Sequence, residues 1–185
     1  MFYNFTNSQL IVAGVALAAV LVIVFVGYFF FRRSRTRGFR TRFGPEYDRA
    51  VVTHGSSSKA ETNLANREAH VKTLEIRDLA ATERERFVAD WQTVQARFVD
   101  HPKTAVSEAD VLISALLVAL GYPKASFEQR AADISVGYPK LMEDYRRANA
   151  IAVRPGRADA STEELRKAMI QYRTIFDELV QAQRP

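Results

Sequence analysis

Residues 10–31 read LIVAGVALAAVLVIVFVGYFFF, 22 consecutive positions with neither a charge nor a proline. As an α-helix rising 1.5 Å per residue they would extend about 33 Å, which matches the ~30 Å hydrocarbon core of a bilayer. The run predicts one transmembrane helix. A cleaved signal peptide would place its basic stretch before a shorter apolar run and a small-residue cleavage site after it. Here the basic stretch comes after, and the run is too long. Aromatic side chains mark both ends, Phe2, Tyr3 and Phe5 on one side and Tyr28 to Phe31 on the other, as expected for rings that favour the membrane interface.

Working outward, Arg32, Arg33, Arg35, Arg37, Arg40 and Arg42 follow the span with no acid among them, and no basic residue precedes it. Basic side chains close to a span hold their flank in the cytoplasm. Residues 1–9 are therefore expected outside the membrane and residues 32–185 inside. Each arginine near the cytoplasmic leaflet would also attract anionic lipid by about 1 kcal/mol, but orientation alone accounts for all six. Inside the span, Gly14 and Ala18 form a small-xxx-small pair, which offers two helices a close approach and hence a route to self-association.

The chain has 185 residues, with 26 Lys and Arg against 21 Asp and Glu, so its formal charge is +5. That basic balance is local. Without the six juxtamembrane arginines, residues 43–185 hold 20 basic and 21 acidic side chains. A nucleic-acid-binding domain needs its basic residues on the folded part, so no nucleic-acid partner is expected. The absence of cysteine excludes disulfides, thiolate zinc sites and a cysteine nucleophile.

Beyond the arginines the pattern is helical. Gly44-Pro45-Glu46 reads as a helix start, with proline at the first position and acids in the first turn. That short helix ends at Gly55-Ser56-Ser57-Ser58, after which Ser58 and Glu61 have capping-box spacing. From there to Leu74 the apolar positions are sparse, namely Leu64, Val71 and Leu74, which predicts a surface or stalk helix. Thr82 with Glu85 predicts the next start, and Phe87, Trp91, Val94 and Phe98 fall on one face. Pro102 opens a helix whose segment VLISALLVAL at 111–120 is apolar nearly all round and is closed by Gly121. At about 15 Å it is too short to span a bilayer, so it reads as the buried centre of a bundle. Ser126 with Gln129 caps a short helix, and Pro139 opens another carrying Leu141, Met142, Tyr145, Ala148 and Ala152 before Arg154-Pro155-Gly156 interrupts it. Ser161 with Glu164 caps a last helix with Leu165, Met169, Tyr172, Phe176 and Leu179 in one stripe. No segment alternates as a strand does.

The expected fold is all-α: a transmembrane helix at 10–31, an Arg-rich juxtamembrane segment at 32–43, a short helix and a surface or stalk helix at 44–79, and a small cytoplasmic helical bundle at 80–185. The tetrapeptide Gly-Tyr-Pro-Lys occurs at 121–124 and again at 137–140. Its 16-residue period is too short for a helical-hairpin solenoid, so it reads as a turn device that stops one helix before the next.

Catalytic patterns are scarce. His54, His70 and His101 lack metal-ligand spacing, the eight glycines are scattered rather than gathered into a phosphate loop, and no Gly-x-Ser-x-Gly elbow is present. The sequence predicts no metal, no cofactor and no enzyme activity. One polar cluster stands out: Glu108 and Asp110 beside the most apolar helix, and Glu128, Gln129, Arg130 and Asp133 in the short helix between the two Gly-Tyr-Pro copies. Arg130 folded back on Asp110 or Asp133 would make it a structural ion pair; left open beside Tyr122 and Tyr138 it would be a binding notch. The structural account is preferred.

The strings RFGPEYDRA at 42–50, WQTVQARFVDHP at 91–102 and GYPKASFEQRAADISVGYP at 121–139 resemble a family of uncharacterised bacterial membrane-anchored helical proteins. The resemblance implies a bacterial source and hence the plasma membrane, with no reaction, ligand or catalytic residue to carry over.

Two function classes follow. In the first, the protein is a single-pass interaction or scaffolding module whose thin stripe, Leu64, Val71 and Leu74, stays partly exposed to dock a protein partner. In the second, the bundle binds a ligand or catalyses a reaction at a site assembled through space, with the region of Asp110, Arg130 and Tyr138 as the first candidate. A ligand site needs a cavity with converging polar groups.

Overall fold

The computed structural model describes residues 7–153 and 160–181, and the chain divides into two units between Arg42 and Phe43. The aromatics Phe2, Tyr3 and Phe5 and the interruption at Arg154-Pro155-Gly156 lie outside the described residues. Among those described there are eight α-helices, one short 3-10 turn and no strand.

The described part of the first unit is helix α1, Asn7–Phe43, up to its last residue, Phe43, which belongs to the second unit. It contains a stretch long and apolar enough to cross a membrane, and its side chains from Ala16 to Phe31 are exposed throughout. The helix does not stop where the charges begin. It runs through all six arginines because arginine is a good helix former and nothing before Gly44 breaks the backbone.

In the second unit, Gly44 at φ +50 ends α1, and Pro45 at the first helical position starts α2, Pro45–His54. Gly55, left-handed at φ 73, closes α2 by donating to the Val51 carbonyl. The turn is so tight that α3, Ser57–Val71, begins at once, capped by Ser56, whose Oγ accepts the Lys59 N–H at 3.3 Å. The expected cap at Ser58 is therefore two residues late. A similar shift occurs at α4, Ala81–Arg97. Arg77 holds the Glu83 carboxylate through two bonds of 2.8 Å, and Glu83 in turn accepts the Ala80 N–H at 3.0 Å. That arrangement sets the start at Ala80 instead of Thr82. The Arg77 hydrogen bonds hold the Glu83 carboxyl down at about 2.

Helix α5, Pro102–Ala119, occupies the centre, packed against α4, α7 (Met142–Ala152) and α8 (Thr162–Gln181). Its Ala105, Val106, Ala109, Ile113, Leu116 and Leu117 are buried. One face nevertheless stays outside, where Val111 is 68% and Val118 46% exposed, so α5 is central without being enclosed. Phe87, Trp91 and Val94 of α4 are buried and Phe98 half-buried, and the Trp91 indole stacks on Phe176 of α8 at 4.8 Å and 12°. Helix α6, Phe127–Gly137, is capped by Ser126, and α8 by a reciprocal Ser161–Glu164 pair, both as expected.

The two Gly-Tyr-Pro-Lys copies play different parts. Gly121 is left-handed at φ +96, and a Cβ there would lie 2.2 Å from the Glu75 carbonyl oxygen. Only glycine lets the 72–80 connection pass, and Arg77 N–H seals it by donating to the Leu120 carbonyl at 2.9 Å. Gly137 has no such neighbour; there it is Pro139 that works, opening the 3-10 turn Pro139–Leu141 before α7.

The expected boundary at residue 80 is not found. Residues 43–79 belong to the same compact unit as the rest, because α2 packs on α3 and α7, and α3 packs on α6.

Candidate functional site

The stripe expected to dock a partner is mostly occupied within the chain. Leu64 is completely buried, beside buried Ala60 and Glu61 of its own helix. Val71 is half-buried, and Leu74 packs against the main core. The expectation that Leu64 stays exposed is thus corrected. Its helix is thin in apolar residues because part of its attachment is polar: Arg67 donates to Glu46 Oε1 of α2 at 2.9 Å and to Ser135 Oγ of α6 at 3.3 Å.

The polar cluster around Asp110 closes on itself. Arg130 lies 3.6 Å from Asp110 Oδ2 and donates to Ser114 Oγ and to the Tyr145 hydroxyl at 3.1 and 3.3 Å. Asp110 Oδ1 accepts from Asn149 Nδ2 at 3.1 Å and from the Tyr172 hydroxyl at 3.0 Å. Burial is the main cause that raises both tyrosines, Tyr145 to about 12 and Tyr172 further, with the Asp110 charge adding to each. Both hydroxyls therefore keep their protons, and Tyr172 can donate. This network ties α5, α6, α7 and α8 together. The tyrosine hydroxyls bonded within it are those of Tyr145 and Tyr172. Glu108 is drawn away by Arg97, and Asp133 by Gln129 and His70.

A second polar node has no local signal in the sequence. Glu46, only 3% exposed, receives Arg146 of α7 through two bonds, 2.6 Å to Oε2 and 2.8 Å to Oε1, in addition to Arg67. Its partners lie 21 and 100 residues away in sequence, and Glu46 itself looks like an ordinary first-turn acid. Beside this node is a half-open cleft of about 390 Å³ whose wall includes Arg49, Thr53, Arg67, Phe127, Glu128 and Arg146. A second depression, about 430 Å³, lies between α4 and α5 and is largely apolar, with Val94, Val111, Leu112 and Ala115 on its wall.

The histidines stay apart. His70 Nε2 is 3.7 Å from Asp133 Oδ1, while His54 and His101 end α2 and precede α5. Among the described residues, no three His, Asp or Glu side chains gather as a metal site would require. Compared with models of protein families, with curated proteins and with solved structures, the chain finds no match.

Proposed function

We propose that this is a single-pass protein of the bacterial plasma membrane, N-terminus outside, that holds a helical binding module at the cytoplasmic face. The observation that carries the reading is the exposed apolar surface of α1 running directly into six arginines, since so much apolar surface needs lipid and basic residues beside a span stay on the cytoplasmic side. The motifs at 42–50, 91–102 and 121–139 support the bacterial source. Reporters fused after Pro185 test it: one that works only in the cytoplasm should be active, and replacing the six arginines by glutamine should weaken that bias. Activity of a periplasm-dependent reporter on the unaltered chain would overturn the orientation.

The first reading of the module is protein interaction. With Leu64 withdrawn into the fold, its support moves to the apolar groove between α4 and α5, where Val111 is exposed. An amphipathic helix of a partner protein suits such a groove. A photo-crosslinker at Val111 in membranes should give one discrete adduct and one at exposed Val99 none; the absence of any adduct at Val111 removes this reading. The second reading, ligand binding, is supported by the arginine-lined cleft beside Glu46.

A further inference from the structure

The wall of the cleft between α2, α3, α6 and α7 gathers three arginines, Arg49, Arg67 and Arg146. Arg67 and Arg146 both reach Glu46 Oε1, so two guanidiniums share one carboxylate, and the next acid whose charge Arg67 feels is the buried Asp133. Arg49 stands one turn beyond Glu46 on α2, is exposed, lines the same cleft and has no ion-pair partner among the described residues. Thr53, a further turn along the same face of α2, adds a hydroxyl to the wall. The wall's other acid is Glu128, which leaves three arginines facing two carboxylates. Glu46 takes both terminal nitrogens of Arg146 and, with Ser135, Nη1 of Arg67, while Arg49 stands exposed on the cleft wall.

We infer that this cleft is a binding site for a phosphate group, held by Arg49 with Arg67 and Arg146 behind it. Guanidinium forks match phosphate oxygens in pairs. A phosphate monoester carries up to two negative charges and three acceptor oxygens, so it relieves the crowded arginines more than a carboxylate does. The volume is in the range of small-molecule sites, and Phe127 with Ala131 offers an apolar wall to the group that bears the phosphate. The inference deepens the ligand-binding reading and rests on it; it stands or falls independently of the membrane orientation. That phosphate could come from a lipid headgroup or from a soluble ester, and the same chemistry recognises both.

The full chain in phosphatidylcholine nanodiscs separates the two sources. In one arm inorganic phosphate is titrated and its 31P line broadening is followed; in the other, phosphatidic acid is added to the nanodiscs and the lipid retained by the protein is counted by native mass spectrometry. Arg49→Gln should weaken the binding about tenfold or more, the scale of one lost charge-assisted hydrogen bond. Arg37→Gln controls for diffuse lipid attraction by the juxtamembrane arginines: it should leave phosphate binding unchanged and lower phosphatidic acid retention by no more than about fivefold, the share of one such arginine. Because Arg49 is exposed, its variant should unfold at the same temperature as the parent when phosphate is absent. Phosphate binding lost in Arg49→Gln assigns a soluble ester, and selective phosphatidic acid retention lost in Arg49→Gln but kept in Arg37→Gln assigns a headgroup. Binding that Arg49→Gln does not alter in either arm, absence of binding in both, or equal binding of acetate overturns the site and with it the ligand-binding reading, while leaving the reporter result untouched.

Discussion

Helices α3 and α4 are close in length and both bury one face, but by different means. Helix α4 buries Phe87, Trp91 and Val94, three large apolar side chains at helical spacing. Helix α3 buries Ala60, Glu61 and Leu64 and adds Arg67, a half-buried cation bridging α2 and α6. The first seam is written in local periodicity. The second depends on a carboxylate 21 residues upstream and a hydroxyl 68 residues downstream, so a poor apolar stripe is no sign of a helix without a partner. If this contrast is right, α4 should respond to lost volume, and the α2–α3 region to lost volume and lost charge alike.

The largest effect is expected at the apolar seam. Trp91 is 4% exposed and stacks on Phe176, so Trp91→Ala should cost about 3–5 kcal/mol, read by chemical denaturation of the full chain in nanodiscs. A loss below about 1 kcal/mol would mean that the stack does not hold α4 to α8. Next comes Leu64→Ala, at about 2–3 kcal/mol, in the lower part of the range for a fully buried leucine. Val71→Ala, half-buried, should cost less than about 1 kcal/mol. If Leu64→Ala were as mild as Val71→Ala, α3 would be a surface helix after all and the docking stripe would return.

The charged part of the contrast is tested by Glu46→Gln, which keeps the shape but leaves two guanidiniums without their carboxylate. Removing one member of a buried ion pair costs roughly 3–5 kcal/mol. Arg67 and Arg146 each keep 20% of the side chain exposed, so water recovers part of that, and about 2 kcal/mol is expected. No loss would show that α2 is held by Tyr47 and Ala50 alone.

These differences explain what could be read beforehand. The all-α fold, the stripes of α4, α7 and α8 and the caps at Ser126 and Ser161 were legible because each is decided within four or five residues of itself. The starts expected at Ser58 and Thr82 are displaced because a neighbouring feature, Gly55 in one case and the Arg77–Glu83 pair in the other, fixes the start from outside the motif. An ion pair of Arg130 with either Asp110 or Asp133 is suggested by the charges gathered on and beside α5 and α6, and packing selects Asp110, whereas Tyr145, Tyr172 and Asn149 enter the network only through packing. Glu46 and the arginine cleft gave no local signal at all: an acid in a first turn has a sufficient explanation in the helix dipole.

The smallest effect concerns Asp133, a buried acid on α6 at the border of the α3 seam, 1% exposed, with Oδ2 lacking a hydrogen-bond partner. Burial is the leading cause that raises its carboxyl above the ordinary value, opposed by the Gln129 hydrogen bond and by the nearby His70 and Arg67 charges of α3. The sign follows from linkage. Above the raised folded value the native state carries a desolvated anion that the unfolded chain would hydrate, so ionised Asp133 is a cost at neutral pH. As pH falls through that raised value the native carboxyl takes up a proton first, and the cost fades until the unfolded chain is protonated too. Asp133→Asn keeps an oxygen to accept from Gln129 and removes the charge. It should therefore stabilise the chain at pH 7 by about 1 kcal/mol or less, and the gain should shrink as pH is lowered towards the ordinary carboxylate range. Destabilisation by Asp133→Asn at neutral pH would instead mean that the His70 and Arg67 charges outweigh burial, making Asp133 a second charged tie of α3 to α6 alongside Arg67.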